Sequence, residues 1–238
     1  MGTVRMSRGT WMAVLVSALV IIDQIIKIVV KTNMSIGESI NVFGDWFQIC
    51  YVENEGMAFG MKFGGVAGKY FLTVFRLVIA GALIWWMSRL VKEDRTARLA
   101  GDGTASHSAE GGAVSGLSRG GAVSGLSKGG TVSHSAKSRR VPAGVMVGLS
   151  MVLAGAIGNI IDCLFYGPIW NEAPFMLGKV VDMFYFPIID TTFPEWLPVI
   201  GGHPFKFFTA IFNFADSCVT CGALYLIFFQ YSFFAGKK

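Results

Sequence analysis

Two pairs of polar residues lie inside stretches of the sequence that are otherwise apolar enough to cross a bilayer. Asn159 and Asp162 form one Asn-x-x-Asp pair, and Asn213 and Asp216 form the other. Residues three apart on a helix share a face, so each stretch presents an amide and a carboxyl group together. Asp182 lies in the loop between the two stretches. Ionisable side chains within a membrane are candidates for function by default.

Carboxyl groups held close together suit hydrolytic chemistry. Two of them cannot both ionise at low cost, so one keeps its proton and its pKa rises. The ionised group accepts a proton from an attacking water, while the protonated group polarises the carbonyl that is attacked. Amide side chains such as those of Asn159 and Asn213 can orient the carboxylates and hold a peptide.

The composition shows which elements carry these groups. A chain of 238 residues that is 53% hydrophobic and 15% charged is too apolar for an ordinary soluble domain. A hydrocarbon core of ~30 Å requires ~20 apolar residues per helix. Four windows meet or approach this length, at about 11–30, 70–87, 141–164 and 207–229. We predict one integral membrane domain, 1–238, that is all-α with four transmembrane helices.

Basic residues concentrate on one side of the predicted helices. Residues 89–140 carry nine Lys or Arg against four Asp or Glu. Further basic residues lie near the ends of the chain, namely Arg5, Arg8, Lys237 and Lys238. By the positive-inside rule, both termini and the 89–140 loop are predicted to be cytoplasmic.

The polar residues lie at a similar depth in this predicted bundle. Asp23 and Asn159 follow the cytoplasmic starts of their windows by twelve and eighteen residues. At 1.5 Å per residue these positions are about 18 and 27 Å from the cytoplasmic side. An ion path would spread such residues through the whole membrane, so this clustering predicts a reaction site toward the outer leaflet.

Residues 92–140 include a nine-residue repeat. It reads GGAVSGLSR from Gly111, GGAVSGLSK from Gly120 and GGTVSHSAK from Gly129. Gly, Ser and Ala with one cation per repeat cannot bury a core. We predict a flexible basic cytoplasmic linker, for which contact with anionic lipid headgroups is an alternative to a passive insertion.

Cysteine and histidine usage does not indicate a metal or redox centre. Cys218 and Cys221 match C-x-x-C, but they lie in an apolar helix without a thioredoxin-like context, so packing is favoured. No His, Cys and acid cluster has metal-ligand spacing. We expect no metal, no other cofactor and no nucleic-acid partner.

Five motifs follow one another along the chain. They are Asp23-x-x-x-Lys27, Asn54-x-Gly56-x-Ala58-Phe59-Gly60, Gly155-Ala156-x-Gly158-Asn159-x-x-Asp162, Val180-Val181-Asp182-Met183-Phe184 and Phe212-Asn213-x-Ala215-Asp216-Ser217. In type and order they resemble the motifs of the bacterial lipoprotein signal peptidases, the signal peptidase II family. The resemblance covers essentially the whole chain except the repeat segment.

The resemblance implies an aspartyl endopeptidase of the bacterial cytoplasmic (inner) membrane. Its substrate would be a prolipoprotein whose lipobox cysteine carries a diacylglyceryl group, cut just before that cysteine. Membrane phospholipid is the other expected partner, and we expect a monomer. A small outer sheet is a family feature that fits residues 41–64, where the apolar pattern suggests short strands.

The resemblance also implies roles for individual residues. Asp182 and Asp216 match the catalytic pair. Two further groups match residues that bind or orient the substrate and residues that support the structure. The first group is Asn54, Gly56, Asn159 and Asn213, and the second is Asp23, Lys27 and Asp162.

Two features depart from the family pattern. Position 163 is Cys where the family usually has Arg, and Arg76 and Lys179 are candidates to replace that cation. In addition, segments 170–177 and 190–203 lengthen the outer loops, and their Pro and aromatic content suggests an interfacial lid or belt.

Other functional classes fit the residues less well. A small membrane transporter would also place carboxylates in helices, but it would distribute them through the full depth and usually show repeated spans. A presenilin-like protease would carry a Gly-x-Gly-Asp signature, which the chain lacks. A purely structural membrane protein has no reason to bury so many amides and acids.

Overall fold

The computed structural model describes residues 6–55, 65–109 and 140–236. Its helices are α1 (Arg8–Asn33), α2 (Gly65–Ala109), α3 (Ala143–Ile161), α4 (Gly167–Ile169), α5 (Phe214–Phe229) and α6 (Tyr231–Phe234), and a π-helical segment, Asp162–Tyr166, joins α3 to α4. Its strands are β1 (Ser39–Phe43), β2 (Phe47–Asn54), β3 (Val180–Tyr185), β4 (Ile189–Thr192), β5 (Pro204–Phe207) and β6 (Ile211–Phe212).

Three helical stretches of the described chain are long and apolar enough to cross a membrane. They are Arg8–Asn33, Gly65–Leu99 and Ala143–Ile169. The helix α5 is apolar but has 16 residues, about 24 Å at 1.5 Å per residue. The structure therefore shows a mostly helical membrane protein with a small sheet, and three of the four predicted spans at full length.

The predicted fourth window, 207–229, is wrong at its beginning. Phe207 ends β5, and residues 211–212 form β6, which pairs with β3. Helix formation begins only after Asn213, whose side chain accepts a hydrogen bond from the backbone N–H of Asp216 at 2.9 Å. Such a cap satisfies an N–H group that has no partner within the helix, and it defines the helix start.

The predicted linker, 92–140, is also wrong at its beginning, because α2 continues to Ala109. Asp94, fifteen residues before the end of α2, ties this helix to the starts of α1 and α3. Its carboxylate accepts hydrogen bonds from Arg98 at 2.8 Å and from the backbone N–H of Val141 at 2.9 Å, and it pairs with Arg8 at 3.3 Å. The remaining repeat residues, 110–139, lie outside the described residues.

The four-stranded antiparallel sheet has the strand order β1-β2-β3-β6. In this sheet Asn54 pairs with Val180, and Val52 pairs with Asp182. Asp182 therefore lies within β3. The sequence analysis had placed it in a loop, and that prediction is wrong. The strands β1 and β2 confirm the short strands predicted in the 41–64 region, and residues 56–64 lie outside the described part of the chain.

Helix α3 packs closely against α1 and α5 because glycines line its contact faces. A Cβ atom on Gly155 would come within 2.2 Å of the carbonyl oxygen of Ala215, and one on Gly158 within 2.5 Å of Asp23 Oδ2. Small residues allow this close approach between helices in lipid. The α3 glycines thus serve helix packing, and the close approach brings polar residues of three helices together.

Candidate active site

Asn213 connects the two predicted catalytic carboxylates. It is fully buried at the start of α5, and its Nδ2 donates to Asp182 Oδ1 at 2.7 Å. Its backbone N–H donates to Asp216 Oδ2 at 3.3 Å, which completes a capping box with the Asp216 cap bond. One residue thus holds a carboxylate of β3 and a carboxylate of α5 in the same place.

Two further amide side chains donate hydrogen bonds to the carboxylates of the pair. Asn54 Nδ2, at the end of β2, donates to Asp182 Oδ2 at 3.1 Å. Asn159 Nδ2, on α3, donates to Asp216 Oδ1 at 2.8 Å. Asn213 Nδ2 also donates to Asn159 Oδ1 at 3.2 Å, so the amides orient one another as well as the carboxylates.

The environment of Asp182 favours a retained proton. Its residue surface is 3% exposed. Burial raises the pKa of Asp182, and the nearby Asp216 carboxylate adds to this rise. The Asn54 and Asn213 amides act against it, and together these effects bring the pKa to about 7. The Asp182 carboxyl group can therefore keep its proton near neutral pH.

A buried ion cluster supports the pair from α1. Lys27 Nζ lies 2.9 Å from Asp23 Oδ2 and 2.7 Å from Asp162 Oδ2, and none of the three side chains is more than 2% exposed. Lys27 also donates to Asn159 Oδ1 at 2.9 Å, which directs the Asn159 NH₂ group toward Asp216. The three predicted support residues are therefore in contact with each other through Lys27.

The ion cluster also holds α5 directly. Asp23 Oδ1 accepts a hydrogen bond at 2.9 Å from the backbone N–H of Ala215, the residue before Asp216. A carboxylate at this point also interacts favourably with the positive end of the helix dipole. The cluster thus positions the backbone that carries one of the two candidate catalytic acids.

Gln24 belongs to the same cluster, but the sequence did not indicate a role for it. Its Nε2 donates to Asp162 Oδ1 at 2.9 Å and to Asp23 Oδ2 at 3.1 Å, and its Oε1 accepts from Tyr166 at 3.2 Å. Its only signal in the sequence is a polar amide in an apolar helix, three residues before Lys27.

A cavity of about 600 Å³ opens beside Asp216. Its lining residues are Phe75, Arg76, Ile79, Ala156, Asn159, Asp216, Val219 and Thr220. Arg76 Nη1 also lies 3.1 Å from the sulfur of Cys163. Of the two candidates for the missing family Arg, Arg76 lines this cavity with Asp216, whereas Lys179 pairs with Glu53 at 3.0 Å.

Glu53 is the centre of a second polar cluster, which joins β2 to α1 and to the start of β3. It accepts from Lys179 at 3.0 Å and from Tyr51 at 2.8 Å, and it pairs with Lys31. Burial alone would raise the pKa of Glu53, but hydrogen bonds from the two lysines and the tyrosine lower it to about 2. Because Asn54 is the next residue, this cluster fixes the end of the strand that reaches Asp182.

Glu53→Gln should therefore lower the melting temperature at pH 7 by a few degrees. A depressed pKa stabilises the folded state fully above the ordinary value of 4.5, and this contribution is lost as the pH falls toward 2. Thermal unfolding should show a difference from the parent protein that shrinks between pH 5 and pH 3. Glu195→Gln, at an exposed position, is the control and should change little. A difference that grows in acid would contradict the assignment.

Two predictions on the site remain untested by these contacts. Gly56 lies outside the described residues. Among the described residues, no group of three or more His, Cys, Asp or Glu side chains is placed to hold a metal ion.

Comparison with known proteins identifies the family. The family described as signal peptidase (SPase) II matches residues 15–117 and 122–232. The chain is 35% identical to the lipoprotein signal peptidase of Porphyromonas gingivalis, covering 94% of this chain and 84% of that protein. It is 27% identical to the lipoprotein signal peptidase of Amoebophilus asiaticus, covering 87% of this chain and 72% of that protein.

A solved structure supports the fold. A bacterial membrane enzyme, 21% identical, covers 97% of this chain and 92% of its own, with a TM-score of 0.51. The family predicted from the five motifs is confirmed by the matched family and by the relatives. The chain belongs to the signal peptidase II family and is an aspartic endopeptidase of the lipoprotein signal peptidase type.

Proposed function

We propose that Asp182 and Asp216 are the catalytic pair that removes the signal peptide from diacylglyceryl-modified prolipoproteins. The observation that carries this proposal is Asn213, which contacts both carboxylates at once. Hydrolysis needs one acid and one base beside the same water molecule. The raised pKa of Asp182 supports a single shared proton near neutral pH.

The reaction follows from this protonation state. The ionised carboxylate takes a proton from water as the water oxygen bonds to the scissile carbonyl carbon. The protonated carboxylic acid donates a hydrogen bond, and then its proton, to the carbonyl oxygen. The tetrahedral intermediate collapses, the C–N bond breaks, and the leaving amine of the lipid-bearing cysteine takes up a proton. The two roles belong to the pair and are not assigned to single residues.

The amides set the geometry of this chemistry. Asn54 and Asn213 hold the Asp182 carboxyl group, and Asn159 holds Asp216. Residues whose own contacts are satisfied keep a catalytic group near its productive position. We assign the segment that begins at Gly56 to the substrate backbone, as the family resemblance implies.

Arg76 contributes a cation to the cavity wall beside Asp216 and Asn159. Its guanidinium group can donate several hydrogen bonds at once. We assign it to the carbonyl oxygens of the substrate, in place of the family Arg at position 163. Its contact with Cys163 supports this exchange of position.

The site is proposed to lie toward the outer leaflet of the cytoplasmic (inner) membrane. Asp23 is fifteen residues from the first residue of α1, and Asn159 is sixteen from the first residue of α3, about 23 and 24 Å along the two axes. The positive charge of 89–140 and of the chain ends supports cytoplasmic termini. This orientation requires α5 with α6 to complete a fourth crossing.

The remaining proposals concern partners. Membrane phospholipid surrounds the apolar helices, and the enzyme is proposed to act as a monomer. A transporter is not favoured, because the buried polar residues of the site form one local network.

Cleavage of a lipid-modified precursor tests the proposed function. The purified protein in lipid should cut the diacylglyceryl precursor and release its signal peptide, detected by mass. A precursor with its lipobox Cys replaced by Ser should be cut at least about 100-fold more slowly, equal to about 2.7 kcal/mol in activation free energy. Two acyl chains anchor the true substrate in the membrane at ~0.8 kcal/mol per buried CH₂.

Two controls complete this experiment. The unmodified precursor with its Cys intact separates the lipid from the cysteine side chain, and it should be cut as slowly as the Ser precursor. Similar rates for all three precursors would mean that the enzyme recognises a helix and not a lipid.

A further inference from the structure

The hairpin of β4 and β5 forms a distinct feature of the outer region. Its strands pair from Ile189 with Phe207 to Thr192 with Pro204. Residues 193–203 connect them and are called here the hairpin loop. The hairpin follows β3, which carries Asp182, and precedes β6 and the start of α5.

The hairpin loop has a defined shape. The backbone N–H of Phe193 donates to the carbonyl of His203 at 2.9 Å, and that of Gly202 donates to the carbonyl of Phe193 at 2.9 Å. Within the loop, Gly201 donates to Leu197 at 2.9 Å. Phe193 also packs on Phe205, with ring centroids 4.9 Å apart. The loop therefore presents its outward side chains from a fixed backbone.

These outward side chains are large and apolar. Trp196 is 78% exposed, Val199 is 94% exposed and Ile200 is 42% exposed. Glu195 is the only Asp, Glu, Lys or Arg in the loop. Contiguous apolar exposure of this kind marks an interaction surface.

The chain around the loop identifies the surface that it contacts. The strands β4 and β5 pack mainly against each other. Most residues of the hairpin loop are exposed in the described chain. Apolar exposure continues through Phe207 and Phe208 toward α5. Farther along α5, Phe228 is 73% exposed, as expected of a lipid-facing helix. The hairpin loop and the segment that leads into α5 thus both expose large apolar side chains in a protein whose helices cross a bilayer.

We propose that the hairpin loop docks on the outer surface of the bilayer that the helices cross, with Trp196 and Val199 inserted among the phospholipid headgroups. Tryptophan is enriched at membrane interfaces, where its ring is partly apolar and its N–H remains hydrated. Because the loop is joined to β3 and leads to α5, the contact holds the two elements that carry Asp182 and Asp216 at one level of the membrane.

Fluorescence quenching tests this contact without any use of catalysis. An environment-sensitive fluorophore is attached at Val199→Cys, in the full chain with its four native cysteines replaced by serine, in phosphatidylcholine nanodiscs. Lipid carrying a nitroxide near its headgroup should quench this probe at least about threefold more than the same probe at Thr191→Cys, in the hairpin stem. Aqueous iodide should quench the probe at Thr191→Cys more than the probe at Val199→Cys.

Three results would overturn the proposal. Iodide could quench the Val199 probe as fully as the Thr191 probe. The Val199 probe could be shielded only when two copies of the chain share a nanodisc, which would make the loop a protein interface. It could instead be shielded only when precursor is added, which would make the loop part of the substrate site.

A kinetic comparison tests the consequence, and this arm rests on the proposed function. Trp196→Ser with Val199→Ser should raise KM for a bilayer-embedded precursor about five- to tenfold, while cleavage in detergent micelles stays within about twofold of the parent. Thr191→Ser with Thr192→Ser is the matched control and should change neither. Equal losses in bilayers and micelles would overturn the docking role, whereas an inactive parent protein would overturn the proposed function alone.

Discussion

Asp182→Asn and Asp216→Asn should each lower single-turnover cleavage of the diacylglyceryl precursor by about 10³- to 10⁴-fold, the range that general acid–base catalysis supplies. An amide can neither take a proton from water nor deliver one to the carbonyl oxygen. Because the two carboxyl groups act as a unit, the double variant should be little worse than either single one.

The folded state should survive both substitutions. At position 182 the Asn side chain keeps one acceptor oxygen for the amides of Asn54 and Asn213, and the cost of burying an ionised carboxylate disappears. The raised pKa of Asp182 fixes the sign of this effect: the parent protein loses stability as the pH rises from the ordinary value of 3.8 toward 7. The difference in unfolding free energy between Asp182→Asn and the parent should therefore be less favourable to the variant in acid than at pH 8.

Asp45→Asn is the matched control for this pair. It makes the same chemical change at an exposed turn between β1 and β2, and it should leave the cleavage rate within about twofold of the parent. If either Asp182→Asn or Asp216→Asn kept a tenth of the parent rate in a folded protein, the catalytic assignment would be wrong.

Lys27→Met should lower the free energy of unfolding more than any of the other substitutions proposed for this protein. It leaves Asp23 and Asp162 buried without the cation that lies 2.9 and 2.7 Å from them. Removal of one partner from a buried ion pair costs about 3–5 kcal/mol. Thermal unfolding in detergent, together with the monodisperse fraction after purification, should show a severe loss. Lys92→Met, at an exposed position of α2, should have little effect.

A compensating variant separates charge from packing. Asp23→Asn with Lys27→Met and Asp162→Asn removes all three charges together, so it should recover much of the folded yield lost by Lys27→Met. Activity should recover less, because Asn159 still lacks the hydrogen bond from Lys27 that directs its amide toward Asp216. A Lys27→Met protein with the parent melting temperature would refute the supporting role of the cluster.

Asp162 shows what helical spacing predicts and what only the tertiary contacts determine. The sequence placed Asn159 and Asp162 on one helical face, because residues three apart share a face. In the structure their side chains serve different purposes. Asn159 turns to Asp216 and Asp162 turns to Lys27, since Lys27 approaches from α1 between them.

The sequence by itself determined the family, the membrane class and three spans at full length. It also predicted the site residues, and their catalytic and supporting roles stay predictions. These features depend on local composition, on helical spacing and on ordered motifs, which need no knowledge of distant contacts. The start of α5, the strand that carries Asp182 and the contacts of Gln24 and Glu53 were decided only by tertiary structure. The strand pairing of Asp182 and the contacts of Gln24 and Glu53 depend on partners far along the chain; Asn54 and Asp182, for example, are separated by 128 positions. The start of α5 depends on the pairing of β6 with β3 as well as on its local cap. Strand register and helix approach bring such partners together, and neither is encoded in a local pattern.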